Sequence, residues 1–284
     1  MQTATLGIVG SGIMGSGIAE VAAKAGVDVI LRSRQQAGAD AMVAALERSL
    51  AKQLDRGKLD ETTAKEVASR VTATDDLHAL HDCDLVLESV VEDLEVKKEL
   101  FTRLDDIVKP QGILATNTST LPVVELAVST ERPAQVVGIH FFNPAPMMSL
   151  VEVVRPMTAS DETVDTAKAF ATACGKDVVE VKDRAGFIVN ALLFPYLNNA
   201  VRMLEAGTAS RDDIDTAMKG GCNFPMGPLA LLDLVGLDTS LSILDALYDE
   251  FRDPNYAAMP LLRRMVAAGQ LGRKSGAGFF DYRK

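Results

Sequence analysis

The chain has little that could hold a metal ion or a disulfide framework: its 284 residues include three cysteines (Cys83, Cys174, Cys222) and three histidines (His78, His81, His140). The cysteines are odd in number, widely spaced and without a C-x-x-C pair. That excludes a disulfide-stapled fold and fits reduced thiols, expected to be small buried residues. Neither the Cys nor the His positions have metal-ligand spacing. No apolar stretch reaches the about 18 residues of a membrane span. The start, Met1-Gln-Thr-Ala-Thr5, runs into a strand-like segment without a charged and then apolar leader, so the expectation is a cytoplasmic protein. Basic runs are missing too. The formal net charge is −10, and no basic and aromatic residues interleave, which excludes nucleic acid and an anionic membrane as partners. An anionic ligand must therefore be met by a local basic cluster. There is no internal repeat or low-complexity tract. A content of 48% hydrophobic and 24% charged residues is that of an ordinary globular protein, long enough for one large or two moderate cores.

What is present begins at Leu6-Gly-Ile-Val-Gly10-Ser-Gly12-Ile13-Met14-Gly15, a G-x-G-x-x-G turn between a β-type run and a helical pattern. Gly10 suits the tight turn, Gly12 leaves room for a pyrophosphate to approach the backbone, and Gly15 lets the helix pack closely on the sheet. The helix start offers free N–H groups and a positive dipole end to phosphates. Glycine-rich turns are common, but here Thr5–Val9 precedes, Ile13–Ala25 has apolar residues at helical spacing, Gly26 is a C-cap and Val27–Leu31 is a second β-rich run. A dinucleotide-binding fold is expected.

The chain divides near residue 185. Before it, candidate strands Thr5–Val9, Val27–Leu31, Asp84–Glu88, Gly112–Thr116, Val136–Phe141, Leu150–Val154 and Val178–Val181 alternate with helical segments, which predicts a doubly wound Rossmann-type α/β sheet over residues 1–184. After it the pattern is helical: Gly186–Glu205, Arg211–Lys219, Pro228–Phe251 and Ala257–Ala268. A smaller all-helical domain over 185–284 is expected, and ligand sites favour the crevice between domains. The 186–205 segment is apolar nearly all round, which predicts burial on most sides and a homodimer through this domain.

Two strand ends carry polar residues. Asp84–Glu92 ends in carboxylates, with Lys97 and Lys98 opening the next helix, and Gly112–Thr116 runs into Asn117-Thr-Ser119-Thr. In open α/β sheets ligands sit at that end. For Ser119, helix capping is an equally good account. His140 closes an apolar strand, whereas His78 and His81 lie in a polar helical stretch with nothing beside them for catalysis. If the chain turns near Pro146 and the flanking strands pair antiparallel, position 140 lies opposite position 152. Glu152 would then fix the imidazole tautomer and raise its basicity, as a general base needs. A half-buried structural histidine is the competing account.

These segments, with Ala185-Gly-Phe-Ile-Val-Asn190, Pro225-Met-Gly-Pro-Leu, His140-Phe-Phe-Asn143-Pro and the terminal Gly272-Arg-Lys-Ser-Gly-x-Gly-Phe-Phe-Asp-Tyr, together resemble the L-3-hydroxyacyl-CoA dehydrogenases from end to end, and among them the bacterial enzymes of 3-hydroxybutyryl-CoA type. The resemblance implies hydride transfer between a nicotinamide cofactor and C3 of a short-chain acyl-CoA substrate. In it His140 exchanges the hydroxyl proton, Glu152 orients His140, and Ser119 and Asn190 hold the substrate oxygens. Glu92, Lys97, Asn117 and Asn143 would line the ribose and nicotinamide, and Lys52 and Arg56, four apart on the helix 40–57, would meet the CoA phosphates. Alternatives are a dehydrogenase of another hydroxy acid, such as a sugar acid, and a non-catalytic nucleotide sensor.

One expected residue is missing. About 20 residues beyond the glycines, an NAD site places an acid that accepts from the ribose 2′-OH and repels a 2′-phosphate. Here the second strand ends in Arg32-Ser33-Arg34. Without that repulsion, and with a hydroxyl and guanidiniums to bind a phosphate, NADP(H) is favoured and NAD(H) remains possible. Ser33 and Arg34 are expected to be the main determinants, and Arg32 secondary, because neighbouring strand residues point oppositely.

Overall fold

The computed structural model of the protein describes residues 3–10 and 12–283. It divides into two compact units, one ending at Asp183 and the other starting at Arg184.

The first unit is built on eight strands, β1 (Thr5–Val9), β2 (Asp28–Arg32), β3 (Val71–Thr74), β4 (Leu85–Glu88), β5 (Ile113–Thr116), β6 (Val136–Phe141), β7 (Leu150–Arg155) and β8 (Asp177–Lys182), in the order β3-β2-β1-β4-β5-β6-β7-β8. All neighbours run parallel except β6 and β7. β1, β4 and β5 are buried almost throughout, as a sheet covered on both faces requires. Helices α1 (Ile13–Lys24) and α2 (Gln36–Asp55) contribute Ile18, Ala22, Met42 and Leu46 to the core under β1 and β2. α4 (Leu94–Ile107) follows β4, capped by Asp93, whose carboxylate accepts from the Val96 N–H at 3.0 Å. Five more described segments are helical or nearly so: α3 (Glu61–Ser69), α5 (Val123–Ala127), α6 (Asp161–Ala173), a 3-10 turn at Leu77–Leu80 that carries His78, and another at Pro133–Gln135.

The strand order reverses between β1 and β4, since the chain winds outward from β1 to β3 and then returns beside it. At such a switch point the loops beyond the carboxyl ends diverge and leave a crevice. β3 had no counterpart among the expected strands: it has four residues, Val-Thr-Ala-Thr, at the sheet edge, and one of them is buried. No apolar alternation marks it.

The second unit is helical: α7 (Val189–Glu205), α8 (Arg211–Cys222), α9 (Pro228–Val235), α10 (Leu237–Phe251) and α11 (Pro260–Ala267). The expected single helix over 228–251 is two. Gly236 separates them at φ +103°, a conformation that favours glycine and ends α9. Leu197, Val201, Leu229, Leu232, Leu244 and Leu262 form its own core. Two buried aspartates staple it. The Asp215 carboxylate accepts from the Leu229 and Ala230 N–H groups at 2.8 and 2.9 Å, and Asp233 accepts from the Phe279 and Phe280 N–H groups, both at 2.9 Å. A Cβ at Gly227 would lie 2.2 Å from Asp215 Cγ, and one at Gly278 would lie 1.9 Å from Asp233 Oδ1. The Pro225-Met-Gly-Pro and Gly-Phe-Phe-Asp-Tyr segments are thus architecture. Of the cysteines, Cys83 is buried, Cys174 half-buried and Cys222 exposed at the end of α8, against the expectation that all are buried. Burial pushes the Cys83 thiol, with Asp84 adding to it, up to about 12, and pushes Cys174 up to about 12. No helix of the described residues is long and apolar enough to cross a membrane.

Candidate active site

The turn after β1 shows why two of its glycines are required. Gly10 sits at φ +138°, and a Cβ there would lie 2.2 Å from the Ser89 carbonyl oxygen at the end of β4. At Gly15 it would lie 2.7 Å from the Gly10 oxygen, so α1 can approach the turn only without a side chain. At Gly12, the N-cap of α1, a Cβ meets nothing within 4 Å. α1 has neither a side-chain cap nor an acid in its first turn. Its N–H groups and dipole are therefore left to an outside anion, which fits a cofactor pyrophosphate. Ile13 beside it is 79% exposed, and Met14 packs against the core.

Around this turn opens a cavity of about 660 Å³ over the ends of β1, β2 and β4. Val90, Val91, Val96 and Leu100 give it an apolar wall suited to an adenine ring. Arg32, Ser33 and Arg34 line another side, and Arg103 of α4 completes it. Arg32, expected to be secondary, thus faces the same cavity as Ser33 and Arg34, and its Nε donates to the Asp75 carbonyl at 3.3 Å. Burial, then the charges of Arg103 and Arg34, lower the pKa of Arg32 below its usual value against the pull of Asp75 and Asp76. Among the described residues Arg34 and Arg103 have no ion-pair partner. Sequence reasoning missed Arg103; it lies on an exposed helix face with no motif around it.

At the ends of β4 and β5 the polar groups are closed on one another. Glu88, fully buried, accepts from Lys97 Nζ at 2.5 Å, the Thr116 hydroxyl at 2.7 Å and the Val90 N–H at 2.6 Å. Lys97, 1% exposed, also pairs with Glu92 at 3.2 Å. Glu92 accepts from the Thr118 hydroxyl at 2.5 Å and the Ser119 N–H at 3.0 Å. Burial works to raise the Glu92 carboxyl, but Lys97, Thr118 and Ser119 outweigh it and hold it below the usual carboxylate range. Ser119 caps no helix. It sits in the loop after β5, and the N-terminus of α5 is held instead by the Asp183 carboxylate, which accepts from the Val123 and Val124 N–H groups at 3.0 and 2.7 Å. Lys97, expected on the cofactor's ribose, has its ammonium turned into this buried pair. Removing Lys97 would leave Glu88 buried without its cation, at a cost of about 3–5 kcal/mol. The sequence marks Glu88 and Thr118 only as polar residues at the two strand ends, without a role, and Thr116 only as a strand residue.

Next along the sheet, β6 and β7 pair antiparallel with His140 opposite Glu152, as their spacing about the Pro146 turn predicts. His140 Nδ1 lies 2.8 Å from Glu152 Oε2, and the two residues are 5% and 0% exposed. Phe142 packs against the imidazole with ring centroids 4.5 Å apart. Asn117 Oδ1 accepts from the Phe141 N–H at 2.8 Å, tying the end of β5 to the strand that carries His140. Asn143 is exposed in the loop that follows. Lys176 Nζ donates to the Ala145 and Met148 carbonyls at 2.7 Å each and so clamps that loop.

A second cavity, of about 330 Å³, lies between α1, α2 and Pro144–Pro146. On α2 it is lined by Met42 and Leu46 and by the stripe Ala41, Ala45 and Ser49. Lys52 and Arg56 continue that stripe at steps of three and four, exposed and without an ion-pair partner among the described residues. Asn190 lies in the first turn of α7, 8% exposed, in the second unit. Among the described residues no group of three His, Cys, Asp or Glu could hold a metal ion.

Comparison with known proteins agrees in both halves. The family described as "3-hydroxyacyl-CoA dehydrogenase, NAD binding domain" matches residues 5–184, and "3-hydroxyacyl-CoA dehydrogenase, C-terminal domain" matches 186–282. A 3-hydroxybutyryl-CoA dehydrogenase of Clostridioides difficile is 48% identical over 279 residues, 98% of this chain and 99% of the relative. The crystal structure of Mycobacterium tuberculosis FadB2 superposes with a TM-score of 0.97 at 47% identity over 100% of both chains. That of the (S)-3-hydroxybutyryl-CoA dehydrogenase PaaH1 from Ralstonia eutropha does so with a TM-score of 0.97 at 40% identity, again over 100% of both. With a nicotinamide-dinucleotide fold and a paired histidine and glutamate in its first unit, and matches that run through the second, the chain belongs to the 3-hydroxyacyl-CoA dehydrogenase family.

Proposed function

We propose that the protein interconverts a short-chain 3-hydroxyacyl-CoA, 3-hydroxybutyryl-CoA, and its 3-keto form, acetoacetyl-CoA, with NADP(H) preferred over NAD(H). The buried His140 and Glu152 pair carries the reading. With Nδ1 engaged by the carboxylate, the proton is exchanged at Nε2, and the Glu152 charge stabilises the imidazolium that forms. In oxidation His140 takes the proton of the 3-hydroxyl; in reduction it returns one to the 3-keto oxygen. A nicotinamide, when bound, takes up or supplies the hydride at C3. Ser119, fixed by Glu92, is assigned to the substrate oxygen, and Asn190 joins it on the family resemblance. Glu92, Asn117 and Asn143, the last of them in the loop that follows the His140 strand, are assigned to the cofactor's ribose and nicotinamide on the family resemblance. The pantetheine arm takes the groove along α1 and α2, and Lys52 and Arg56 meet the CoA phosphates.

Arg32, Ser33 and Arg34 support the choice of cofactor, because the position of the missing acid is filled by groups that attract a 2′-phosphate. Activity is tested by following the near-ultraviolet absorbance of NADPH and NADH after adding acetoacetyl-CoA. Loss of absorbance that requires the thioester supports the reading. Reduction of a free keto acid instead, oxidation of a free hydroxy acid or sugar acid with NADP+ or NAD+ instead, or no turnover with any of them, would sink it.

The assembly proposed is a homodimer formed through the helical unit. α7 is less apolar outside than a fully enclosed helix, but it exposes Leu192 (72%) and Met203 (44%), and Phe224 and Leu234 are exposed in the same unit. A second copy is the occupant proposed for this surface. Light scattering at micromolar concentration should give twice the 30.3 kDa chain mass; a monomer would overturn it.

A further inference from the structure

We propose that Arg103 is a specificity-determining residue: with Arg34 and Ser33 it forms a site for a phosphate monoester on the ribose of the bound dinucleotide. The inference rests on the NADP(H) reading above and adds to it a residue from a different element. Arg32 ends β2 and Ser33 and Arg34 follow it, whereas Arg103 lies in the third turn of α4, and all four line one cavity. Three guanidiniums around one cavity repel each other unless an anion comes between them, and Arg32 registers the charge of Arg103 directly.

The charges of Asp75 and Asp76 reach Arg32 from a distance, but among the described residues no carboxylate forms an ion pair with Arg32, Arg34 or Arg103. Asp75 meets Arg32 through its backbone carbonyl. Glu99, one turn before Arg103 on the same wall, makes no ion pair with it. A helix surface commonly pairs a glutamate with an arginine four residues on, so the open fork is available to a ligand. A guanidinium offers parallel donors matched to a phosphate's oxygens. The apolar wall of Val91, Val96 and Leu100 places an adenine next to these donors, so the phosphate they meet is on the adenosine ribose. The pyrophosphate belongs to the N-terminus of α1.

The test is calorimetric binding of 2′,5′-ADP and 5′-AMP, which differ only by the 2′-phosphate, to the intact protein, which needs neither substrate nor turnover. Wild type should bind 2′,5′-ADP more tightly. Arg103→Gln should weaken 2′,5′-ADP about tenfold, the worth of one charge-assisted contact, and change 5′-AMP less than about twofold. Arg103→Lys should recover part of the loss, since it restores the charge without the fork. If Arg103→Gln weakens both ligands alike, or neither, while wild type still prefers 2′,5′-ADP, the role of Arg103 is refuted and the NADP(H) reading stands. If wild type binds 5′-AMP as tightly as 2′,5′-ADP, the NADP(H) reading fails. Arg103 is exposed, with no side-chain hydrogen bond or ion pair among the described residues, so a variant that loses its near-native thermal transition would contradict the surface role itself.

Discussion

The two ends of the first unit's ligand surface handle charge in opposite ways. At the ends of β4 to β7, Glu88, Lys97, Glu92, Thr118, His140 and Glu152 are each held by another protein group, mostly out of water. At the end of β2, and again at the end of α2, cations stand without carboxylate partners: Arg34 and Arg103 in one place, Lys52 and Arg56 in the other. A closed network is already organised before any ligand arrives, which is what positioning a proton donor requires, because groups that need not reorganise favour the transition state. An open cationic cluster is complete only with an anion that the ligand brings. On the proposed function, the charges are paired where chemistry is assigned, and unpaired where phosphates are assigned.

The strongest way to break this contrast is to open the paired end. His140→Ala should leave the fold intact and lower kcat with acetoacetyl-CoA by about two to four orders of magnitude, the usual contribution of general acid–base catalysis. Glu152→Gln should lose less, since the imidazole remains and only its orientation and stabilisation suffer. Steady-state kinetics with circular dichroism as the fold control decides it; near-wild-type turnover in His140→Ala would make the histidine structural.

The open end should respond differently. Lys52→Ala with Arg56→Ala should raise KM for acetoacetyl-CoA about five- to tenfold with kcat nearly unchanged, and remove part of the salt dependence of kcat/KM, because exposed cations contribute modest, screened attraction. A fall in kcat with KM unchanged would place them in the chemistry instead.

The smallest effect concerns pH and the closed network. Glu92 is held below its usual range in the fold, so the stability it contributes is fully present above the unfolded value of 4.5 and is lost as pH falls through the lower native value. Thermal denaturation followed from pH 6 to 3 should show this decline, and Glu92→Gln should flatten it. An unchanged slope would mean that the ionised Glu92 is no more stabilised in the fold than in the open chain.

The same contrast explains what was legible in the sequence. The glycine turn, the paired strands around Pro146 and the opposition of His140 to Glu152 follow from short-range spacing, so they could be read directly. Ser119 could not be decided, because a capping serine and a loop serine look alike until the Asp183 carboxylate is seen at the start of α5. Lys97 was assigned to a ligand, and the burial that turns it inward depends on Glu88 and Glu92 meeting it from two other segments. Arg103 joins the cluster at the end of β2 only through the packing of α4, about 70 residues away in the chain. β3 was missed because four edge residues with one buried side chain have no periodic signal.

The claim that unpaired cations mark where a ligand brings its own charge is tested most directly by kcat/KM for NADPH and NADH, measured on the wild type and on Ser33→Asp with Arg34→Ile. The account predicts a preference for NADPH in the wild type, on the order of 30- to 150-fold for charge-assisted contacts of about two to three kcal/mol, and a shift toward NADH once an acid replaces the serine. An NADH preference in the wild type, or an unchanged ratio in the double variant, would contradict it.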